Sequence, residues 1–231
     1  MEPKIIKMAS GREFEIPLFD PLVGAHFNTA SSYVGELLRQ TNDEQIYAKM
    51  FAGKTGLIFL DLGANMGVVS IYAADSCARI VSVEPAPATF SVLKAMTWSF
   101  PNINPVCAAL CPVDGPCKFF QNDVNSTASS TVNTYGTEVM VPGLRLSTIL
   151  HQNQLEHVDV CKIDVEGAEG ESLTLAELQL VRPIVDSYYV ETHNCPKTAW
   201  EHKLGEFVGN MARLGYHQME VRGMTVYSRK P

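Results

Sequence analysis

The chain has 231 residues, a formal net charge of -7 and a sequence pI near 5.4. Lysine and arginine nowhere form a cluster longer than a pair, so we expect neither nucleic acid nor an anionic membrane as a primary partner. Hydrophobic residues make up 46% and charged residues 19%, which is typical of a globular protein and excludes a disordered chain.

The N-terminal stretch, MEPKIIKMASGREFEI, lacks the apolar core of a signal peptide, and no apolar run reaches the length of a membrane span. The cysteines form no CxxC pair and no histidine stands at a zinc spacing from them, so neither a metal knuckle nor a redox pair is indicated. We expect a cytoplasmic protein with reduced thiols. The cysteines are Cys77, Cys107, Cys111, Cys117, Cys161 and Cys195.

The first part of the chain predicts an extension ahead of the main fold. Residues 4–18 alternate around a serine-glycine turn, which predicts a short hairpin, and residues 29–39 and 43–51 carry apolar side chains at helical intervals. We therefore expect residues 1–52 to form an N-terminal extension that packs on a core domain of residues 53–231. The hairpin could cap the domain or one end of a ligand cleft.

From Leu57 onward the pattern alternates between strand and helix. Such alternation predicts a doubly wound α/β fold, with a mostly parallel sheet, helices on both faces and right-handed crossovers. Ligands of such sheets bind beyond the carboxyl ends of the strands. The predicted elements are a strand over 57–60 followed by a helix, a strand over Ile80–Glu84, a helix over Ala88–Trp98, and strands over Ile103–Leu110 and Val158–Asp164.

An insertion interrupts the alternation. Two short predicted strands, Lys118–Gln121 and Glu138–Val141, flank the loop NDVNSTASSTVNT, which is rich in hydroxyl and amide side chains. We interpret this loop as a solvated surface segment, and the alternative is a loop near the site that hydrogen-bonds substrate or cofactor.

The remaining elements follow Asp164. The segment EGAEGESLTLAEL predicts one helix with Glu169 and Glu171 on its solvated face. A strand, a long helix and a terminal hairpin come next. Their predicted bounds are Tyr188–Thr192 for the strand, a capping box at Thr198 and Glu201 through Gly215 for the helix, and Tyr216–Val221 with Met224–Ser228 for the hairpin.

The stretch LIFLDLGANMGVVSIY contains a pattern that is typical of a cofactor-binding turn. A buried strand ends at Asp61, a turn with Gly63, Asn65 and Gly67 follows, and a helix begins. Glu84 ends the next strand, where one carboxylate can accept hydrogen bonds from two ribose hydroxyls.

Two classes of cofactor are compatible with a glycine turn of this kind. A dinucleotide would require the GxGxxG spacing, which is absent here. S-adenosylmethionine has an amino acid end, whose ammonium an acidic residue before the glycines can meet directly or through water, and whose carboxylate backbone N–H groups can bind. The turn therefore favours S-adenosylmethionine.

The segments FLDLGANMG, VSVEP, VDVCKIDVEGAE and VETH together resemble the FkbM family of S-adenosylmethionine-dependent methyltransferases, over about residues 42–193. The resemblance implies a class I methyltransferase (Rossmann-like) fold, with a seven-stranded sheet whose last strand is antiparallel. It also implies that Asp164 and Glu166 face the transferring methyl group. The cofactor-binding residues that it implies are Asp61, Gly63, Ala64, Asn65, Gly67, Glu84, Pro85, Ala109 and Asp164.

Methyl transfer to a hydroxyl benefits from a general base. Glu191 and His193 are two residues apart on a predicted strand, so they share a face at its carboxyl end. We predict His193 as the base, with Glu191 and Asp164 orienting it or the substrate; Glu166 is a further candidate. A structural role for His193 is the alternative. A divalent ion could bind Asp164, Glu191 and His193, but nothing in their spacing requires one, so we expect no metal.

Family members mostly methylate hydroxyl groups on natural products or sugars, so the resemblance implies O-methylation of a small molecule or sugar. The alternatives are N-methylation of an amine or polypeptide side chain, and a non-catalytic module that only binds the cofactor. The sequence does not indicate an oligomeric state.

Overall fold

The computed structural model describes residues 4–7, 13–16, 50–51, 53–121, 129–131, 136–191, 200–221 and 224–228. The strands in these ranges are β1 (Lys4–Lys7), β2 (Glu13–Ile16), β3 (Leu57–Leu62), β4 (Cys77–Val83), β5 (Ile103–Val106), β6 (Ala109–Leu110), β7 (Gly115–Gln121), β8 (Thr137–Leu144), β9 (Val160–Ile163), β10 (Ser187–Glu191), β11 (His217–Val221) and β12 (Met224–Ser228). The helices are α1 (Val68–Ala73), α2 (Pro87–Thr97), α3 (Leu146–Gln152), α4 (Glu169–Ser172), α5 (Leu175–Val181) and α6 (Trp200–Arg213).

One sheet organises the described fold. Its strand order is β11-β12-β10-β9-β3-β4-β5, so β3 lies between β9 and β4. Strands β3, β4, β5, β9 and β10 pair in parallel, whereas β12 runs antiparallel to both of its neighbours. The prediction of a doubly wound α/β fold with a mostly parallel sheet is confirmed.

Apolar clusters cover both faces of this sheet. On one face Phe59 and Ile80 pack with Ile71 of α1 and Val92 of α2. On the other face Leu60, together with other strand residues, packs against helices α3, α5 and α6. The central strands are buried on both faces, which is why they read as continuous apolar runs.

The segment predicted as one strand over Ile103–Leu110 is divided between two sheets. Residues Ile103–Val106 form β5 at the edge of the large sheet, whereas Ala109 and Leu110 form β6 of a separate three-stranded sheet with order β6-β8-β7. The prediction of a single strand was wrong because a continuous apolar run carries no mark of the point at which the chain leaves one sheet for another. The two strands predicted around the insertion are present as β7 and β8.

The single helix predicted after Asp164 is also divided in two. Helix α4 ends at Ser172, and Thr174 begins α5 as its N-cap, with its hydroxyl oxygen accepting a hydrogen bond from the Glu177 N–H at 3.3 Å. The expected solvated face is correct for Glu171 but wrong for Glu169, which is only 1% exposed. A Glu169 carboxylate oxygen accepts a hydrogen bond from the Val165 N–H at 3.2 Å, so this side chain supports the turn before α4.

The chain termini agree with the sequence pattern where they are described. Strands β1 and β2 pair antiparallel, and β11 pairs antiparallel with β12. The helices predicted over 29–39 and 43–51 lie outside the described residues apart from the buried pair Met50 and Phe51, and the capping residue Thr198 lies outside them as well. Among the described residues, no helix is both long enough and apolar enough to cross a membrane.

Candidate functional site

The turn between β3 and α1 is shaped by residues in left-handed backbone conformations. Gly63 has φ +77°, Asn65 has φ +50° and Gly67 has φ +86°. A Cβ on Gly63 would lie 1.7 Å from the Asp164 carbonyl oxygen, and one on Gly67 would lie 2.6 Å from Leu93 Cδ1. Gly63 is therefore required by its close contact with the backbone at the end of β9, whereas Gly67 is favoured by its left-handed backbone and by its contact with a side chain of α2.

Asp61 lies beneath this turn. Its side chain has no exposed surface, and its Oδ2 accepts a hydrogen bond from Ser70 Oγ at 2.6 Å. The Ser70 hydroxyl is in turn 2.7 Å from the Ser82 hydroxyl on β4. Of the two predicted routes to a cofactor ammonium, direct contact would need an exposed Asp61 atom, which this structure does not provide.

The structure adds Lys162, which the sequence analysis did not select. This β9 residue is only 3% exposed, and its Nζ donates hydrogen bonds to Asp164 Oδ2 at 3.1 Å and to the Gly63 carbonyl at 3.3 Å. Its Nζ also lies 3.5 Å from Asp61 Oδ1, at ion-pair distance. The signal in the sequence was the lysine within the otherwise apolar strand VCKI. A lysine in a buried strand indicates a nearby partner, since a buried charge requires one.

Glu84 follows the last residue of β4 and faces the same turn. Its Oε2 accepts a hydrogen bond from the Asn65 N–H at 3.0 Å, and its Oε1 accepts one from the Ala86 N–H at 2.9 Å. Burial raises the pKa of this carboxyl to about 7, although the two N–H donors and Lys162 act to lower it. Each carboxylate oxygen has two lone pairs, so this fixed carboxylate can also accept hydrogen bonds from a diol.

Two further residues predicted to bind the cofactor, Pro85 and Ala109, lie near Glu84. Ala109 of β6 is buried in a small cluster with Ala86 and Phe119. Pro85 is half-buried, and the Cys107 thiol contacts its carbonyl oxygen at 3.9 Å. This cluster is apolar and adjoins Glu84 through Ala86, and its members are at most 5% exposed.

Acidic residues gather at the carboxyl ends of β9 and β10. Asp164 follows β9, and Glu166 lies in the next turn with φ +54°. Glu191, which is half-buried, ends β10, and the preceding residue pairs with Ile163 of β9. These three predicted residues therefore lie at one edge of the sheet, whereas His193 lies outside the described residues and its role as base stays a prediction.

Part of the hydroxyl-rich loop reaches this edge. Ser130 is fully buried, forms a bridge with Phe120 and donates a hydrogen bond from its Oγ to the Glu166 carbonyl at 2.7 Å. Ser129 beside it is buried too. The expectation of a solvated surface loop was wrong for these two residues, because the hydroxyl fixes the strained turn at Glu166; residues 122–128 and 132–135 lie outside the described part.

The predicted alternative metal set contains His193 and so cannot be assembled from the described residues. A different group, His157, Asp159 and Asp186, lies before β9 and β10, at the opposite edge of the sheet. The His157 Nε2 is 3.1 Å from Asp159 Oδ1 and 3.8 Å from Asp186 Oδ2. The His157 ring nitrogen therefore contacts both carboxylates directly.

The described cysteines are free thiols: Cys77, Cys107, Cys111, Cys117 and Cys161. Burial raises the pKa of both Cys77 and Cys111 to about 12, so these thiols are not activated as nucleophiles. Cys195 lies outside the described residues.

Comparison with known proteins connects this geometry to a family. The model of a methyltransferase FkbM domain matches residues 61–217, which is more than half of the chain and includes the turn, Glu84, Lys162 and the acidic edge. No curated protein matches the sequence.

The solved structures that resemble this one include a methyltransferase and two fibrillarins. A precorrin-6y C5,15-methyltransferase from Geobacter metallireducens GS-15 has a TM-score of 0.48 at 13% identity, over 81% of this chain and 86% of that one. A fibrillarin pre-rRNA processing protein from Methanococcus jannaschii has a TM-score of 0.47 at 13% identity, over 98% and 81%. Aeropyrum pernix fibrillarin, solved with natively bound S-adenosyl-L-methionine, has a TM-score of 0.46 at 13% identity, over 97% and 81%.

Proposed function

The chain belongs to the FkbM methyltransferase family, uses S-adenosylmethionine as its cofactor, and on this premise we propose that it methylates a hydroxyl group of a small molecule or sugar. The observation that supports the cofactor part of the proposal is the Glu84 carboxylate, which two backbone N–H groups hold at the end of β4 beside the glycine turn. This arrangement would present fixed acceptors to a ribose diol, with the apolar cluster of Ala109 close by.

Different described residues would bind the different chemical parts of the cofactor. Glu84 would hold the ribose, Ala109 and its cluster would contact the adenine, and the turn from Gly63 to Gly67 would surround the methionine half. The bound cofactor supplies a methyl group on a positively charged sulfur, which is already an activated leaving group. The chain must then align the acceptor and exclude water.

The acceptor side of the proposal rests on the acidic edge. Asp164, Glu166 and Glu191 lie at the carboxyl ends of neighbouring strands, where ligands of open α/β sheets bind. Carboxylates there can accept hydrogen bonds from the hydroxyl groups of an acceptor and orient them. A base at this edge, for which we propose His193 with Glu191 beside it, would remove the hydroxyl proton as the methyl group is transferred.

Cofactor binding is tested by isothermal titration with S-adenosylhomocysteine, the demethylated product. The Glu84→Ala variant is expected to bind at least about tenfold more weakly, because it loses charge-assisted hydrogen bonds to the ribose. Glu156→Ala is the matched control, since that side chain is exposed on the loop before β9. Equal affinity of both variants and the unmodified protein would overturn the assignment of Glu84.

The acceptor is tested with methyl-labelled cofactor and a panel of hydroxylated glycans, polyketides, amines and peptides. Label transferred to oxygen supports O-methylation, whereas label on nitrogen alone identifies the N-methyltransferase alternative. On any substrate found in this way, full activity of His193→Ala would show that another group is the base. Glu191→Gln in the same assay distinguishes a carboxylate base from the imidazole.

A further inference from the structure

We propose that Lys162 is a positioning residue for the amino acid end of the cofactor, an inference that rests on the proposed function of the site. Lys162 contacts three parts of the chain: the end of β3, the glycine turn and the end of β9. It is not expected to react, and its role is to hold the groups that meet the cofactor.

Lys162 contacts both a buried carboxylate and a partly exposed carboxylate of the site. Its Nζ lies 3.5 Å from Asp61 Oδ1, which is fully buried, and 3.1 Å from Oδ2 of Asp164, whose side chain is 26% exposed. It also donates a hydrogen bond to the Gly63 carbonyl at 3.3 Å. One ammonium group thus fixes the orientation of a cleft-facing carboxylate and of a carbonyl in the turn.

Charge explains why a lysine suits this position. Asp61 and Asp164 together carry two negative charges when ionised, and Lys162 leaves the group with a net charge of -1. The amino acid end of the cofactor brings an ammonium of opposite sign. The group therefore attracts that ammonium, while the internal cation prevents two closely spaced carboxylates from repelling each other in a buried place.

The geometry also separates the ends of the cofactor. The Lys162 ammonium donates hydrogen bonds to Gly63 and Asp164, which belong to the methionine half of the proposed site, whereas its effect on Glu84 is through charge and lowers the pKa of that carboxyl. Loss of Lys162 should therefore weaken ligands that carry the amino acid end more strongly than those that lack it. A residue that merely stabilises the fold would affect both kinds of ligand equally.

The experiment compares S-adenosylhomocysteine with 5′-methylthioadenosine, which shares its adenosine part but has no amino acid end. For Lys162→Met we expect the affinity for S-adenosylhomocysteine to fall at least about tenfold and that for 5′-methylthioadenosine, which is affected only through Glu84, to fall by a clearly smaller factor, both measured by isothermal titration. Lys118→Met is the control, because this exposed lysine pairs with Glu138 on the small sheet. It should change neither affinity.

Removal of Lys162 leaves Asp61 buried without its cation, so the variant could unfold. The double variant Lys162→Met with Asp61→Asn removes both charges together, its thermal midpoint shows whether it is folded, and Asp61→Asn alone is the reference for its ligand affinities. Equal losses for the two ligands, or no loss for either, would overturn the inference. Absence of binding of both ligands to the unmodified protein would instead overturn the proposed function.

Discussion

Gly63→Ala is predicted to damage the site because two segments of the backbone touch at this residue. The new Cβ would lie 1.7 Å from the Asp164 carbonyl oxygen and 2.7 Å from its carbonyl carbon. Both atoms are backbone, so no side chain can rotate away. The turn and the end of β9 must separate by more than about 1 Å to restore an ordinary contact in a close-packed interior.

Two contributions determine the loss of stability. Alanine at φ +77° costs about 1 kcal/mol relative to glycine, because its Cβ crowds the following carbonyl. Overpacking against Asp164 costs about 1–3 kcal/mol more. The free energy of unfolding should therefore fall by about 2–4 kcal/mol, which lowers the thermal midpoint of a chain of this size by roughly 10 °C.

Gly53→Ala separates these two contributions. Gly53 has φ +69°, close to the value at Gly63, yet a Cβ on it would meet nothing within 4 Å. This control should lose only about 1 kcal/mol, as measured by urea denaturation, and should leave S-adenosylhomocysteine binding unchanged. If both variants lost equal stability and bound the ligand equally well, the close approach of Gly63 to Asp164 would have no energetic significance.

Three further predictions concern other buried groups. Burial raises the pKa of Glu84 to about 7, so its carboxyl takes up a proton as the pH falls. S-adenosylhomocysteine affinity should then drop about tenfold between pH 8 and pH 6 in isothermal titration, because the protonated form is the poorer acceptor; Glu84→Gln should abolish this dependence. Ser70→Ala removes the hydroxyl that donates to buried Asp61 and should lower the free energy of unfolding by about 2 kcal/mol in urea; no loss would contradict the importance of this hydrogen bond. Gly143→Ala places a Cβ 2.8 Å from both a cysteine Sγ and another cysteine Cβ and should lower the thermal midpoint, whereas Gly209→Ala, with nothing within 4 Å in helix α6, should raise it; the opposite order would refute the packing argument.

The part of the site proposed to bind the cofactor, from Asp61 to Glu84, was predictable because its signals are local in the sequence. The apolar run before Asp61, the glycines that follow it and the acid at the end of the next strand specify a strand, a turn and a helix within a few residues of one another. Parallel strands then bring their carboxyl ends to one edge without further information. This placed Gly63, Glu84 and Asp164 at the same edge, as the structure shows.

Other features depend on contacts between segments that are distant in sequence. Glu169 carries the charge of a surface residue, and only the turn at Val165, whose N–H it accepts, explains its burial. Ser130 belongs to a polar loop, and its burial follows from the left-handed turn at Glu166. A composition rule places both residues in solvent, because it cannot recognise a backbone donor or acceptor that is supplied by another segment.

A chain of polar contacts across three adjacent strands explains the conformation of the turn between β3 and α1 better than the glycines alone. It runs from Ser82 on β4 to Ser70 at 2.7 Å, to Asp61 at 2.6 Å, to Lys162 at 3.5 Å and to Asp164 at 3.1 Å. The glycines permit the backbone conformation of the turn, but they do not select it over other conformations. The buried polar groups do select it, because each of them loses a partner if the turn or a strand end shifts. A motif that specifies glycines, an acid and a lysine therefore encodes one rigid unit, whose parts should be sensitive to substitution together rather than independently.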